Sequence, residues 1–193
     1  MSGAAEKQAF LLDGIEVNFQ PGQTIIQAAL AAGKYIPHLC YHPEFKPHGS
    51  CKLCIVNIDG HFGSACTTQA AAGLPVQSET PEIRDKRRTL VQMLLVEGNH
   101  FCPSCEKSGD CLLQALGYDL GVMSPHFPQT FPVRPVDASH PDILLDFNRC
   151  ILVAVAAVHG VFTDRKRESL ADCAFSGFCR VGRAHDVAVA GHG

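Results

Sequence analysis

Two short apolar runs flank Asp13-Gly14 within residues 9–19, AFLLDGIEVNF. They predict a β-hairpin, because Asp-Gly is a residue pair that suits a two-residue turn. Pro21-Gly22 then turns the chain. Residues 24–32, TIIQAALAA, predict a short helix closed by Gly33 just past its end. From Tyr35 to Ser50 the Pro, His and Gly residues leave no period, which predicts a loop. Residues 53–66 repeat the hairpin signal around Asp59-Gly60, and residues 74–78, LPVQS, predict one further strand. Strand–strand–helix–strand–strand order predicts a small mixed sheet with a helix packed across it.

Thr80-Pro81 is a helix start, with Thr80 as N-cap, Pro81 at the first helical position and Glu82 in the first turn. Ile83, Leu90, Val91, Leu94 and Leu95 predict its apolar face, and Gly98 its end. The run RDKRR at 84–88 reads as the solvated face of this helix. A second short helix is predicted from Asp110 to Leu116, capped by Gly117. Residues 122–143 hold five of the twelve prolines and no clear period, as expected of an extended segment lying on a surface.

Charge changes this picture little. Charged residues make up 18% of the 193 and the net charge is −3. That argues against an acidic disordered tail and against nucleic-acid binding through a basic surface. No run of about eighteen apolar residues is present, so no membrane span is expected. Glu6, Lys7 and Asp13 break up the N-terminal region, so no secretory leader is expected and the chain is placed in the cytoplasm.

Cysteine changes it a great deal. There are ten, in a chain expected to stay where thiols are kept reduced. Seven fall in two groups, each built around a Cys-x-x-Cys pair and flanked by Gly, Pro, Ser and His. Core cysteines would scatter with helix or strand periodicity, so these two groups read as metal ligands.

The first group is Cys40-x10-Cys51-x2-Cys54-x11-Cys66. Three thiolates on or beside one loop plus a remote fourth suit a [2Fe–2S] cluster, which needs two sulfurs on each of two irons. Gly49 and Ser50 keep the loop small, so backbone N–H groups can approach the sulfurs. Four cysteines also suit zinc, although zinc sites usually pair two short knuckles and only one is present here. His38, His42 and His48 are weaker candidates, because four sulfurs already complete this set.

The second group, in residues 98–111, GNHFCPSCEKSGDC, offers only Cys102, Cys105 and Cys111. A [4Fe–4S] cube takes four protein ligands, and His100 is the candidate fourth through a neutral imidazole.

The two patterns in this order, with residues 133–152, VRPVDASHPDILLDFNRCIL, resemble a known iron–sulfur family. It includes the large iron–sulfur subunit of respiratory complex I, modules of iron-only hydrogenases and formate dehydrogenases, and the diaphorase gamma subunits of soluble NAD-reducing nickel–iron hydrogenases. The resemblance is closest to the last and covers roughly residues 9–152. It implies an α+β chain in four parts. Residues 1–78 would form a β-grasp ferredoxin-like domain with a [2Fe–2S] centre on Cys40, Cys51, Cys54 and Cys66. Residues 79–121 would form a small helical and loop domain with a [4Fe–4S] centre on His100, Cys102, Cys105 and Cys111. An extended linker over 122–149 and an irregular C-terminal segment over 150–193 would follow.

Two departures stand out. Complex I relatives carry the ligand His four positions before the first Cys of the second group; Gly98 stands there, and His100 is the natural substitute. In relatives the Cys matching Cys150 opens a further [4Fe–4S] motif, with ligands three and six residues on. Val153 and Ala156 occupy those places, leaving Cys150 as a remnant ligand, and no known spacing joins it to Cys173, Cys179 or His159. From Ile151 onward 20 of 43 residues are Ala, Val or Gly. This shift leads to the expectation of a degenerate remnant of a second [4Fe–4S] domain whose tail is read out of frame or is otherwise not the native ending.

No Gly-x-Gly-x-x-Gly, phosphate loop or flavin signature is present, so the chain is not expected to hold NAD itself. The resemblance implies an electron relay between a flavin- and NAD-binding diaphorase subunit and the small and large subunits of a hydrogenase, with FMN, NAD and nickel–iron only in those partners. The complex would run H2 + NAD+ ⇌ NADH + H+. An equivalent relay of an NAD-dependent formate dehydrogenase or complex I is the alternative. A zinc-stabilised interaction module is the reading from a different class.

Overall fold

Residues 8–105, 107–140, 143–146 and 180–182 are described in the computed structural model of the chain. The architecture is α+β, in two compact units, residues 1–90 and 91–193.

In the first unit, strands β1 (Ala9–Leu12) and β2 (Ile15–Asn18) form the first hairpin, and β3 (Ile55–Ile58) and β4 (His61–Ser64) the second. Strand β5 (Pro75–Gln77) enters between them, parallel to β1 and antiparallel to β3, giving the mixed order β2-β1-β5-β3-β4. Both turns sit where Asp-Gly predicts them, with Asp13 at φ 50° and Asp59 at φ 48° followed by glycines at positive φ. Asp13 has a second task. Its carboxylate accepts from the backbone N–H of Ser78 at 2.7 Å and the Ser78 hydroxyl at 2.6 Å, tying the first turn to the end of β5.

Helix α1 (Ile25–Ala31) begins with a capping box. Thr24 Oγ1 accepts from the Gln27 backbone N–H, and Gln27 Oε1 from that of Thr24. It ends at Gly33, φ 70°, with Lys34 N–H on the Ala29 carbonyl and Gly33 N–H on that of Leu30. Ile25, Ile26, Ala28 and Ala29 are buried with Phe10, Val17, Val56 and Val76, so α1 closes the core over the sheet. Cys54 and Cys66 belong to the same buried cluster, which places the first candidate site at the edge of the core.

Helix α2 (Pro81–Glu97) starts as expected, with the Ile83 N–H donating to Thr80 Oγ1 at 3.2 Å. One expectation is corrected. Arg88 and Asp85 of the charged run are exposed, but Arg87 is completely buried, on a stripe with Ile83 and Val91 at four-residue spacing. Its guanidinium is satisfied by the carbonyls of Leu53 and Ile55 and by Glu79.

In the second unit, a single 3₁₀ turn (Cys102–Ser104) precedes α3 (Leu112–Asp119). Here too the structure differs from expectation. The helix runs through Gly117 and ends at Gly121, φ 70°, where Val122 N–H reaches the Gly117 carbonyl and Gly121 N–H that of Tyr118. Strands β6 (Val136–His140), β7 (Ile143–Asp146) and β8 (Arg180–Gly182) form a separate antiparallel sheet. Nothing in the proline-rich pattern points to these strands. Cys150, Cys173, Cys179, Val153, Ala156 and His159, with the expectations attached to them, lie outside the described residues. No helix among the described residues is long and apolar enough to cross a membrane.

Candidate metal centres

Cys40, Cys51, Cys54 and Cys66 are free and buried, and they meet in pairs, Cys40 with Cys51 and with Cys66, and Cys54 with Cys66. Cys40 is delivered by the loop after α1, Cys51 and Cys54 by the loop before β3, and Cys66 by the turn after β4. That turn is pinned from two sides. Ala65 N–H donates to the Cys54 carbonyl at 2.9 Å, and the Ala65 carbonyl accepts from Ile26 at the start of α1 at 3.0 Å. The four thiols settle their protons among themselves. Cys40 accepts from Cys51 and Cys66 and is held far below the usual thiol range. Cys54 accepts from Cys66 and is also lowered. Cys51 and Cys66, as the donors, are pushed up, with burial adding to the effect.

Backbone N–H groups point at the same sulfurs: Cys51 N–H at Cys40, Leu53 N–H at Cys51 and Cys66 N–H at Cys54. Such a cradle of N–H donors suits thiolates that remain charged after metal is bound, and it raises the reduction potential of a bound cluster. Gly49 makes the close approach possible. At φ 67° it takes a conformation that costs other residues, and a Cβ there would stand 3.1 Å from Thr67 Cγ2 and 3.8 Å from Cys66 Sγ.

Around the second site, Cys102, Cys105 and Cys111 line one pocket with His100, over a floor that includes Leu95 and Leu113. The 3₁₀ turn folds Cys105 back, its N–H on the Cys102 carbonyl at 3.1 Å. Gln114 Oε1 accepts from Gly109 N–H at 2.8 Å and holds the loop before α3, whose N-cap is Cys111. Burial foremost, and the neighbouring thiols after it, push the Cys102 thiol up.

His100 carries an idle ring nitrogen at this pocket. Burial first and Arg134 second keep its ring neutral, and its Nε2 is buried without a hydrogen-bond partner. A buried acceptor left unpaired costs about 1–3 kcal/mol, which a metal bond would offset. The ring lies back against Gly98, and a Cβ at Gly98 would be 2.5 Å from His100 Nε2. The imidazole therefore fills the space that a side chain at position 98 would enter. Among the described residues no three His, Cys, Asp or Glu side chains close on a point that a single ion could occupy. A polynuclear cluster asks instead for sulfurs spread around a core. The paired thiols of the first site and the four donors around the second pocket fit that need. The residue missed in the sequence is Arg87, whose two carbonyl partners lie more than thirty positions away in the chain.

Residues 6–81 match the 2Fe-2S iron-sulfur cluster binding domain family, and residues 87–126 the NADH-ubiquinone oxidoreductase-G iron-sulfur binding region. The gamma subunit of the NAD-reducing hydrogenase HoxS of Cupriavidus necator is 44% identical over 140 residues, 72% of this chain and 60% of that protein. The G subunit of the NADH-quinone oxidoreductase of Mycobacterium bovis is 35% identical over 159 residues, 79% of this chain and 20% of that protein. A chain in the crystal structure of NAD+-reducing [NiFe]-hydrogenase in the H2-reduced state superposes with a TM-score of 0.76 at 52% identity, over 80% of this chain and 66% of that one. The chain thus spans about three-fifths of the hydrogenase relative and a fifth of the oxidoreductase relative. It carries a [2Fe–2S]-binding domain followed by a [4Fe–4S]-binding region of the NADH-ubiquinone oxidoreductase-G type, and it is related to the iron–sulfur subunits of NAD-reducing hydrogenase and NADH-quinone oxidoreductase.

Proposed function

We propose that the chain is the electron-relay subunit of a cytoplasmic NAD-reducing hydrogenase, passing electrons between a flavin- and NAD-binding diaphorase subunit and the small and large subunits of a nickel–iron hydrogenase. In this reading residues 1–78 form a β-grasp ferredoxin-type domain in which Cys40, Cys51, Cys54 and Cys66 hold a [2Fe–2S] cluster. Residues 79–121 hold a [4Fe–4S] cluster through His100, Cys102, Cys105 and Cys111. Residues 122–149 serve as the linker, and 150–193 as the remnant of a further cluster domain. When bound, such clusters accept and return single electrons, which suits the join between hydrogen and nicotinamide chemistry. The chain's own residues bury the sulfurs, aim N–H groups at them and hold a neutral imidazole in place. The observation that carries the reading is the pair of donor sets, each assembled in space, on a chain 44% identical to the gamma subunit of an NAD-reducing hydrogenase.

Anaerobically purified protein should be brown, carry about six irons per chain (two plus four) with matching acid-labile sulfide, and give two EPR signals on reduction. Tagged chain expressed with its neighbouring genes should copurify with nickel-containing subunits and support H2-dependent NAD+ reduction. A colourless zinc protein would overturn the reading. Copurification with a molybdopterin protein would replace the hydrogenase by a formate dehydrogenase.

A further inference from the structure

The carbonyls on either side of Cys54 are held by one side chain. Arg87 Nε donates to the Leu53 carbonyl at 3.0 Å and Nη2 to the Ile55 carbonyl at 2.9 Å. Its remaining nitrogen, Nη1, meets Glu79 Oε1 at 3.0 Å, and the other Glu79 oxygen lies 3.4 Å from Arg84 Nη1. Arg87 is 0% exposed, whereas the Glu79 side chain is 46% exposed. The positive charge is therefore buried beside the cysteine loop, while its counter-charge sits partly in water. A guanidinium stays ionised even when buried, and only an arginine offers a planar fork to two backbone carbonyls at once. A core strut at this point of the stripe could have been leucine, and the desolvation of a buried charge is a cost that needs a reason.

We propose that Arg87 is a positioning residue for the [2Fe–2S] site: it fixes the backbone on both sides of Cys54 and supplies a buried positive charge, balanced by Glu79, that raises the reduction potential of the cluster. The inference rests on the [2Fe–2S] assignment and adds to it a residue outside the ligand set. Its sign follows from electrostatics. Reduction adds one negative charge to the cluster, so a nearby cation favours the reduced form and a nearby carboxylate disfavours it.

The test is a potentiometric EPR titration of the full chain with its clusters loaded, comparing wild type with Arg87→Gln, Arg87→Lys and Glu79→Gln. Arg87→Gln should lower the midpoint potential of the [2Fe–2S] signal and Glu79→Gln should raise it. Each change is expected to be about tenfold in the reduction equilibrium, which is about 59 mV for one electron. Arg87→Lys keeps the charge but loses the fork, so its potential should stay near wild type while its cluster occupancy falls. The [4Fe–4S] signal serves as the internal standard. If Arg87→Gln fails to assemble, Glu79→Gln still decides, because its residue is half-exposed and is not a candidate ligand. Unmoved potentials in the variants that carry the cluster would make Arg87 a structural strut and overturn the inference alone. A wild-type chain without a [2Fe–2S] signal would instead overturn the assignment beneath it.

Discussion

Gly98→Ala should damage the second centre without replacing any candidate ligand. Gly98 follows α2 and lies outside the left-handed region, so its backbone accepts alanine. At such positions the exchange stabilises a protein by about 0.4–1 kcal/mol, chiefly by restricting the unfolded chain. The new methyl group, however, stands 2.5 Å from His100 Nε2 and 3.0 Å from its Cδ2. The imidazole has to turn out of its buried place, and overpacking of this kind costs about 1–3 kcal/mol. In the wild-type background the substitution should therefore be destabilising, by up to about 2.5 kcal/mol. In a His100→Ala background the obstruction is gone, and the same substitution should stabilise by about 0.4–1 kcal/mol. The coupling between the two sites is then at least about 1 kcal/mol, beyond the ~0.3–0.5 kcal/mol within which independent sites add.

Urea unfolding of the four corners of this cycle, on the full chain without metal, measures the coupling. Iron content and EPR of the loaded proteins measure its consequence: Gly98→Ala and His100→Ala should each lose the [4Fe–4S] signal and keep the [2Fe–2S] signal. The double variant Gly98→His with His100→Ala moves the imidazole to the position used in complex I relatives, and it should recover the four-ligand set. A coupling within about 0.5 kcal/mol of zero would refute the claim that His100 rests on Gly98. An intact [4Fe–4S] spectrum in His100→Ala would reduce the histidine to a bystander.

Cys54→Ser should abolish or alter the [2Fe–2S] EPR signal and leave the cubane signal in place; an unchanged spectrum would remove Cys54 from the ligand set. Gly49→Ala should cost about 1–2 kcal/mol for the left-handed backbone alone. It also presses on Thr67 beside Cys66, so sulfide and iron bound per chain should drop at the first centre, and full occupancy would show that the cradle tolerates a Cβ. Thr24→Ala removes half of the capping box and should lower stability by about 1 kcal/mol, read as a lower urea midpoint with an unchanged slope. A midpoint that does not move would show that α1 is held by its burial alone.

What can be read from the sequence is what neighbouring residues decide among themselves. Asp13-Gly14 and Asp59-Gly60 turn the chain with their own φ angles, and Thr24 with Gln27 starts a helix through atoms three residues apart. The cysteine spacings belong with these, because a loop of a given length either reaches around a cluster or does not. The differences arise where a residue's role is set by something far along the chain. Gly117 and Gly121 both resemble helix ends. Only the structure shows that Gly121 takes the left-handed turn, while Gly117 stays helical, where a Cβ would come 4.0 Å from Val91 Cγ1. Arg87 looks like part of a solvated charge run because its neighbours are. Its spacing from Ile83 and Val91 is the apolar one, and a cation in that register is a local contradiction. Local contradictions in a folded chain are resolved by tertiary partners, here two carbonyls beside a cysteine. The same logic applies to His100, a half-buried neutral ring with an idle buried nitrogen at a pocket lined by three thiols. Each is unfavourable as structure alone, and each lies beside a group of cysteines, where the proposed clusters would give a charge or a lone pair a use.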